Sequence, residues 1–261
     1  MTSVIAGTLE DIKQLIDRKE TISMFEKCMI TEIEKFYKDN NISYKINSSF
    51  NDKIIDYINL RKKWISPKRR EILVSKELNK KIRENLIDFR TKEALVYIQN
   101  KIRKGENING HLSRSIYRSD FYDVLLLQWG IFHVHINKKE AKNSREMKKN
   151  RSDELLFIMI ENDIVYLIDI EKHDKKHVFS MFRLLQIIST NWIELIKKYE
   201  LKDCIAGTMK PLITCDKDIE MMWKAKINIG FEINGKTYLL WDKGVNSAGS
   251  GMIDTFQIKQ N

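Results

Sequence analysis

Two histidines stand two positions apart inside the apolar segment QWGIFHVHI, at His133 and His135. In a strand, side chains at i and i+2 point to one face, so both imidazoles share a face with Ile131. Phe132, Val134 and Ile136 then take the opposite face and the core. An imidazole, with an ordinary pKa near ~6.5, both accepts and donates protons at neutral pH. Two further histidines, His173 and His177, follow the apolar run IVYLIDI in the stretch EKHDKKH, and Tyr166 adds a phenol inside that run. Between the two apolar runs lies KKEAKNSREMKKNRSDE, a basic loop carrying Arg145, Lys148, Lys149 and Arg151. A second basic cluster, Lys68, Arg69 and Arg70, sits beside Trp64, a pairing of charge and aromatic surface that suits a nucleic-acid strand.

Imidazoles on a sheet, a nearby phenol and a cationic loop suit phosphodiester cleavage without a metal. One imidazole removes the proton from a ribose 2′-hydroxyl and another protonates the leaving oxygen. An Arg or Lys balances charge on the pentavalent phosphorus. His133 and His135 are the acid/base residues expected here, with Tyr166 and Arg151 at the phosphate and His173 as a further acid or base. Arg145, Lys148, Lys149, Arg151, Lys68, Arg69 and Arg70 are expected to hold the nucleic acid, RNA in this reading, with no metal or cofactor required.

Two alternatives stay open. His-x-His on a strand is also a two-ligand metal clip, with Glu140 or His173 as the third ligand of a catalytic site. Otherwise both histidines are hydrogen-bonded in place, and the chain is a non-enzymatic nucleic-acid-binding or scaffold protein. The glycine-rich stretch KGVNSAGSGMID, with Gly244, Gly249 and Gly251, lacks the GK[ST] of a P-loop. It offers at most a backbone nest for a phosphate.

The elements that must position these residues follow from periodicity. The capping-box spacing of Thr8 and Asp11 opens one helix, and Ile22, Phe25, Met29, Ile33 and Phe36 recur at helical spacing in the next. A short extended piece, ILV, precedes a long helix expected from Ser75 to a C-terminal Gly105. Beyond this point the period changes. GIFHVHI alternates, DELLFIMIENDIVYLIDI reads as a hairpin about END, and Asn234-Gly235 is a strong hairpin turn signal. The expected class is α+β: a helical N-terminal region over 1–105, then an antiparallel-sheet domain with a packed helix over 106–261, the two sharing one core or standing apart.

Of 261 residues, 46 are Lys or Arg and 36 Asp or Glu, giving a net charge of +10 that favours a polyanionic partner. Hydrophobic residues make up 43% of the chain, the composition of a folded domain rather than a disordered one. The longest apolar run is too short to span a bilayer, so no membrane partner is expected. Cys28, Cys204 and Cys215 are isolated, with no CxxC among them, which argues against a disulfide framework and for a cytoplasmic setting.

DVLLLQWGIFHVHI followed by RSDELLFIMIENDIVYLIDIEKH resembles an uncharacterised bacterial family. Its pattern joins a WGI-x-H-x-H segment, a Ser/Thr-Asp-Leu-Leu-Phe strand and a Tyr-x-Ile-x-Ile strand ending in His. The resemblance covers about residues 110–200 and brings no activity with it. More loosely, helices followed by a twisted sheet bearing His, Arg and Tyr are similar to the RelE/barnase-like ribonuclease toxins. That similarity implies an effector of toxin or phage-defence type, with an antitoxin or a second copy of the chain as its protein partner.

Overall fold

The computed structural model describes residues 2–149, 152–201, 215–227 and 229–240, with side chains from residue 18 onward. The front of the chain is helical. α1 (Thr2–Asp39) runs as one continuous helix through the Thr8–Asp11 pattern that suggests a separate start. α2 (Phe50–Lys62) starts at Ser49, whose Oγ accepts from Asp52 N at 3.2 Å. The two pack together through Ile33, Tyr37, Ile54 and Leu60.

β1 (Glu71–Val74) is the extended ILV piece, and Ser75 caps α3 (Lys76–Arg83) by accepting from Leu78 N at 2.9 Å. The single long helix expected here is broken. Asn85 turns left-handed at φ 55°, and the Asp88 carboxylate accepts from Thr91 N at 2.9 Å to start α4 (Phe89–Lys104) afresh. An Asx cap within the period outcompetes continuation of the helix. Two 3-10 turns, Asn109–His111 and Arg114–Tyr117, then lead into α5 (Val124–Trp129). Gly130, at φ 69°, ends α5 and turns the chain into β2 (Ile131–His135). A left-handed residue at this point is the usual helix-ending role of glycine.

After α6 (Ser144–Lys149) come β3 (Glu154–Glu161) and β4 (Ile164–Lys172), the hairpin about END. A 3-10 turn (Val178–Ser180), α7 (Phe182–Asn191), α8 (Glu194–Lys197) and α9 (Asp216–Lys224) follow. The hairpin of β5 (Phe231–Ile233) and β6 (Lys236–Tyr238) ends the described chain, its turn residues Asn234 and Gly235 both left-handed at φ 52° and 74°.

The class is α+β, with a four-stranded sheet in the order β1-β4-β3-β2. β2, β3 and β4 pair antiparallel, while β1, from the helical half, adds to β4 as a parallel edge. Leu95 and Ile98 of α4 share a core with Val134, Leu156 and Leu167 on one face of the sheet. On the other face Ile131, Leu155 and Phe157 pack with Leu185, Trp223 and Phe231. Residues from both sides of the 105/106 boundary therefore share ladder bonds and a core. Strands buried on both faces read as unbroken apolar runs, as LLFIMI does.

Gly105 locks α4 onto the β1 approach. A Cβ there would stand 2.7 Å from Arg69 N, at a φ of +77°. Gly105→Ala should cost about 1–3 kcal/mol and lower the melting temperature by roughly 3–10 °C. An unchanged thermal transition would contradict this account of the junction.

Candidate functional site

The face of β2 that carries His133 and His135 is covered at one end and open at the other. His133 is opposite Phe157 and His135 opposite Leu155, while Ile131, one step back on the same face, lies fully buried under Trp129 and the α9 layer. Past Ile131 the covering layer parts into a cavity of about 520 Å³. Four of the five histidines line it: His133 and His135 from the strand, His173 and His177 from the segment after β4. The cavity is in the size range of small-ligand sites.

Each imidazole has a defined neighbour. The rings of His135 and His173 stack with centroids 5.7 Å apart and 17° between planes. His173 is brought there by its backbone, which continues the hairpin: its N–H donates to Asp153 O at 2.6 Å. The Asp123 carboxylate lies 3.5 Å from His133 Nδ1. The same carboxylate caps α5 by accepting from Leu126 N at 3.2 Å, so the cap fixes its position. His177 takes a left-handed φ of 58°, a conformation costing roughly 1 kcal/mol outside glycine. Its Nδ1 meets the Glu220 carboxylate from α9. Lys224, and after it His177, hold Glu220 below the usual carboxylate range. The ring of Phe179, 37% exposed, meets His133 at 5.0 Å and His173 at 5.8 Å, edge to face.

The wall facing this cluster is the segment before α5, and a buried lysine holds it. Lys63, at the end of α2, donates from Nζ to the carbonyls of Ser115 at 2.9 Å, Arg118 at 2.6 Å and Phe121 at 2.8 Å. Burial pushes the Lys63 ammonium down to about 8, against the pull of Asp123, Asp120 and Asp56. Tyr122, also in the wall, donates to Asp56 Oδ1 at 2.6 Å. The helical front thus shapes the cavity even though it contributes no histidine to it.

Several expected site residues lie elsewhere. Tyr166 is opposite Met159, level with Ile131 rather than with the histidines, and its ring packs on Trp192 at 5.0 Å. It is a core phenol whose pKa burial raises, and it does not line the cavity. Lys68, Arg69 and Arg70 lead into β1, the sheet edge opposite β2, with two strands between. There Lys68 pairs with Asp163, and Arg70 donates to Ser66 O at 2.9 Å. Glu140 pairs with Lys101 and accepts from Tyr97 at 3.0 Å, away from the histidine cavity. Arg145 lines a separate, asparagine-rich hollow. Among the described residues of the basic loop, Lys148 alone reaches the histidine end, in a side groove it shares with His135, while Lys149 is simply exposed. Arg151 and the glycines 244, 249 and 251 lie outside the described residues.

Sequence reasoning missed Asp123, Glu220 and Phe179. Asp123 carries a readable signal, an Asp before VLLLQW at the N-cap. Glu220 meets His177 across 43 residues, and no local pattern announces that. Among the described residues, no group of three or more His, Cys, Asp or Glu side chains is arranged to hold a metal ion. None of their helices is long and apolar enough to cross a membrane. No protein-family model, curated protein or solved structure matches the chain.

The fifth histidine, His111, is buried on the α4 side, edge-on to Tyr97. Burial, with Lys101 adding, pushes its imidazole down to about 4. The unfolded chain, with His near ~6.5, then binds more protons than the folded one across the window between. Stability is therefore full above pH ~6.5 and falls by up to about 3 kcal/mol as pH drops through the folded value. Chemical denaturation of His111→Leu between these limits should show a flatter acid slope than the parent protein. Parallel slopes would refute the assignment.

Proposed function

We propose that the protein cleaves RNA by metal-independent acid/base catalysis at the histidine cavity. The observation that carries this reading is the meeting of four imidazoles at one cavity, two of them backed by carboxylates. Core histidines have no need of such company.

In this mechanism His133 removes the proton from the ribose 2′-hydroxyl, and Asp123 steadies the imidazolium that forms. The 2′-oxygen attacks phosphorus and the 5′-oxygen leaves. His173, held against His135, donates the proton that the departing oxygen needs. The products are a 2′,3′-cyclic phosphate and a 5′-hydroxyl end, with one proton taken up and one given. Lys175 and Lys224, both in the cavity wall, supply positive charge for the phosphorane. His177, fixed by Glu220, completes the wall. An effector role, of toxin or antiviral-defence type, is the setting such an activity would suit.

General acid/base groups contribute typically 10²–10⁴-fold. His133→Ala and His173→Ala should each lower cleavage of a single-stranded RNA by about that factor, with the circular dichroism spectrum retained and EDTA without effect on the parent protein. Asp123→Asn keeps a good N-cap residue but removes the charge behind His133, so cleavage should slow while the melting temperature holds. Full cleavage by both histidine variants would sink the proposal.

A further inference from the structure

The histidine cavity continues into a side groove of about 170 Å³, lined by Arg114, Arg118, Phe121, His135 and Lys148 among others. Phe121, Ser113 and His135 line both spaces, so the groove opens from the cavity. We infer that this groove is a subsite for a single-stranded polynucleotide, in which the base next to the reacting one stacks on Phe121 and its phosphate sits between Arg114 and Lys148. The inference rests on the proposed cleavage site, since it extends the same strand out of that cavity.

Three features support it. First, Phe121 is 40% exposed, yet it is held firmly: its carbonyl accepts from Lys63 Nζ at 2.8 Å. The Lys63 ammonium and the Arg118 guanidinium lie 5.9 and 5.7 Å from its ring centroid. An exposed ring in a fixed position is a platform, and every base has a face to lay on one. Second, the cations divide into spent and unspent ones. Arg118 is bonded to Asp120 at 3.3 Å, whereas Arg114 and Lys148 are exposed and have no carboxylate partner among the described residues. Third, a base in a duplex is already stacked between its neighbours. A ring platform beside a cavity selects strands whose bases are unpaired.

A short 2′-deoxy oligonucleotide has no 2′-hydroxyl nucleophile, so it reports binding without cleavage. Its affinity is measured by fluorescence anisotropy at several salt concentrations. Phe121→Ala should weaken single-strand binding by roughly 5- to 100-fold with the salt slope unchanged, and Phe121→Trp should restore it. The Arg114→Ala/Lys148→Ala double variant should reduce the slope of log affinity against log salt by about 0.7, the worth of the one phosphate the two cations share. The same sequence as a duplex should bind more weakly. Duplex binding as tight as single-strand binding, or full affinity in Phe121→Ala, overturns the inference. If these binding results hold but ordinary RNA is never cut, the subsite stands and the cleavage proposal falls.

Discussion

A sheet covered on both faces can keep an unpaired polar side chain only at its edges and ends. Here helices α3 and α4 pack on one face, and α7, α9 and the β5-β6 hairpin on the other, so the middle of β3 and β4 is mostly apolar, and the buried Asp169 of β4 is paired with Lys81 at 2.8 Å. β2 is an edge strand, and its last three residues run past the point where the second layer ends. Imidazoles are tolerated there because one side of each ring meets the core and the other meets the cavity. The same constraint moves Tyr166 away. It shares the face but stands level with buried Ile131, where a side chain can only pack.

Cavity walls must be held as firmly as the floor, and Lys63 shows how the helical half does this. Burying an ammonium is costly unless its hydrogens are all used. Three carbonyls in one short segment use them, which ties that segment to α2 at three points. The 3-10 turn at Arg114–Tyr117, the Phe121 ring and the Asp123 cap all lie on or beside the tied stretch. On the opposite wall, the 3-10 turn Val178–Ser180 is fastened to α9 through Ser180 Oγ on Asp216 O at 2.8 Å, and His177 is fastened through Glu220. Two walls from distant parts of the chain thus stand fixed about one strand end.

Local features were legible in the sequence because local rules decide them. The shared face of His133 and His135 follows from the period of a strand. Ser75, Gly105 and Asn234-Gly235 follow from cap and turn chemistry, and each takes the geometry its type prefers. The approach of His173 to His135 needed one step more, the assumption that consecutive strands pair, and the β3-β4 hairpin supplies that step. Contacts between distant segments left no comparable trace. Nothing near Lys63 points to residues 115–121, and Glu220 looks like any acidic residue on a surface helix. The parallel addition of β1 is a long-range pairing of the same kind, and it decided that Lys68–Arg70 lie at the wrong edge for the site.

Charge is distributed unevenly between the cavity and its outlet, and this distinguishes their work. Inside, cations and carboxylates alternate: His133 with Asp123, His177 and Lys224 with Glu220, Lys175 with Glu171 at 2.8 Å. In the proposed mechanism Lys175 and Lys224 act on the phosphorane at short range, while the carboxylates hold the rings of His133 and His177. In the groove outside, Arg114 and Lys148 are not balanced in this way, so part of the chain's excess of positive charge is concentrated there. On the proposed reading, long-range attraction for a polyanion belongs to the outlet and proton transfer to the interior. The two meet at His135 and Phe121, the side chains that line both spaces.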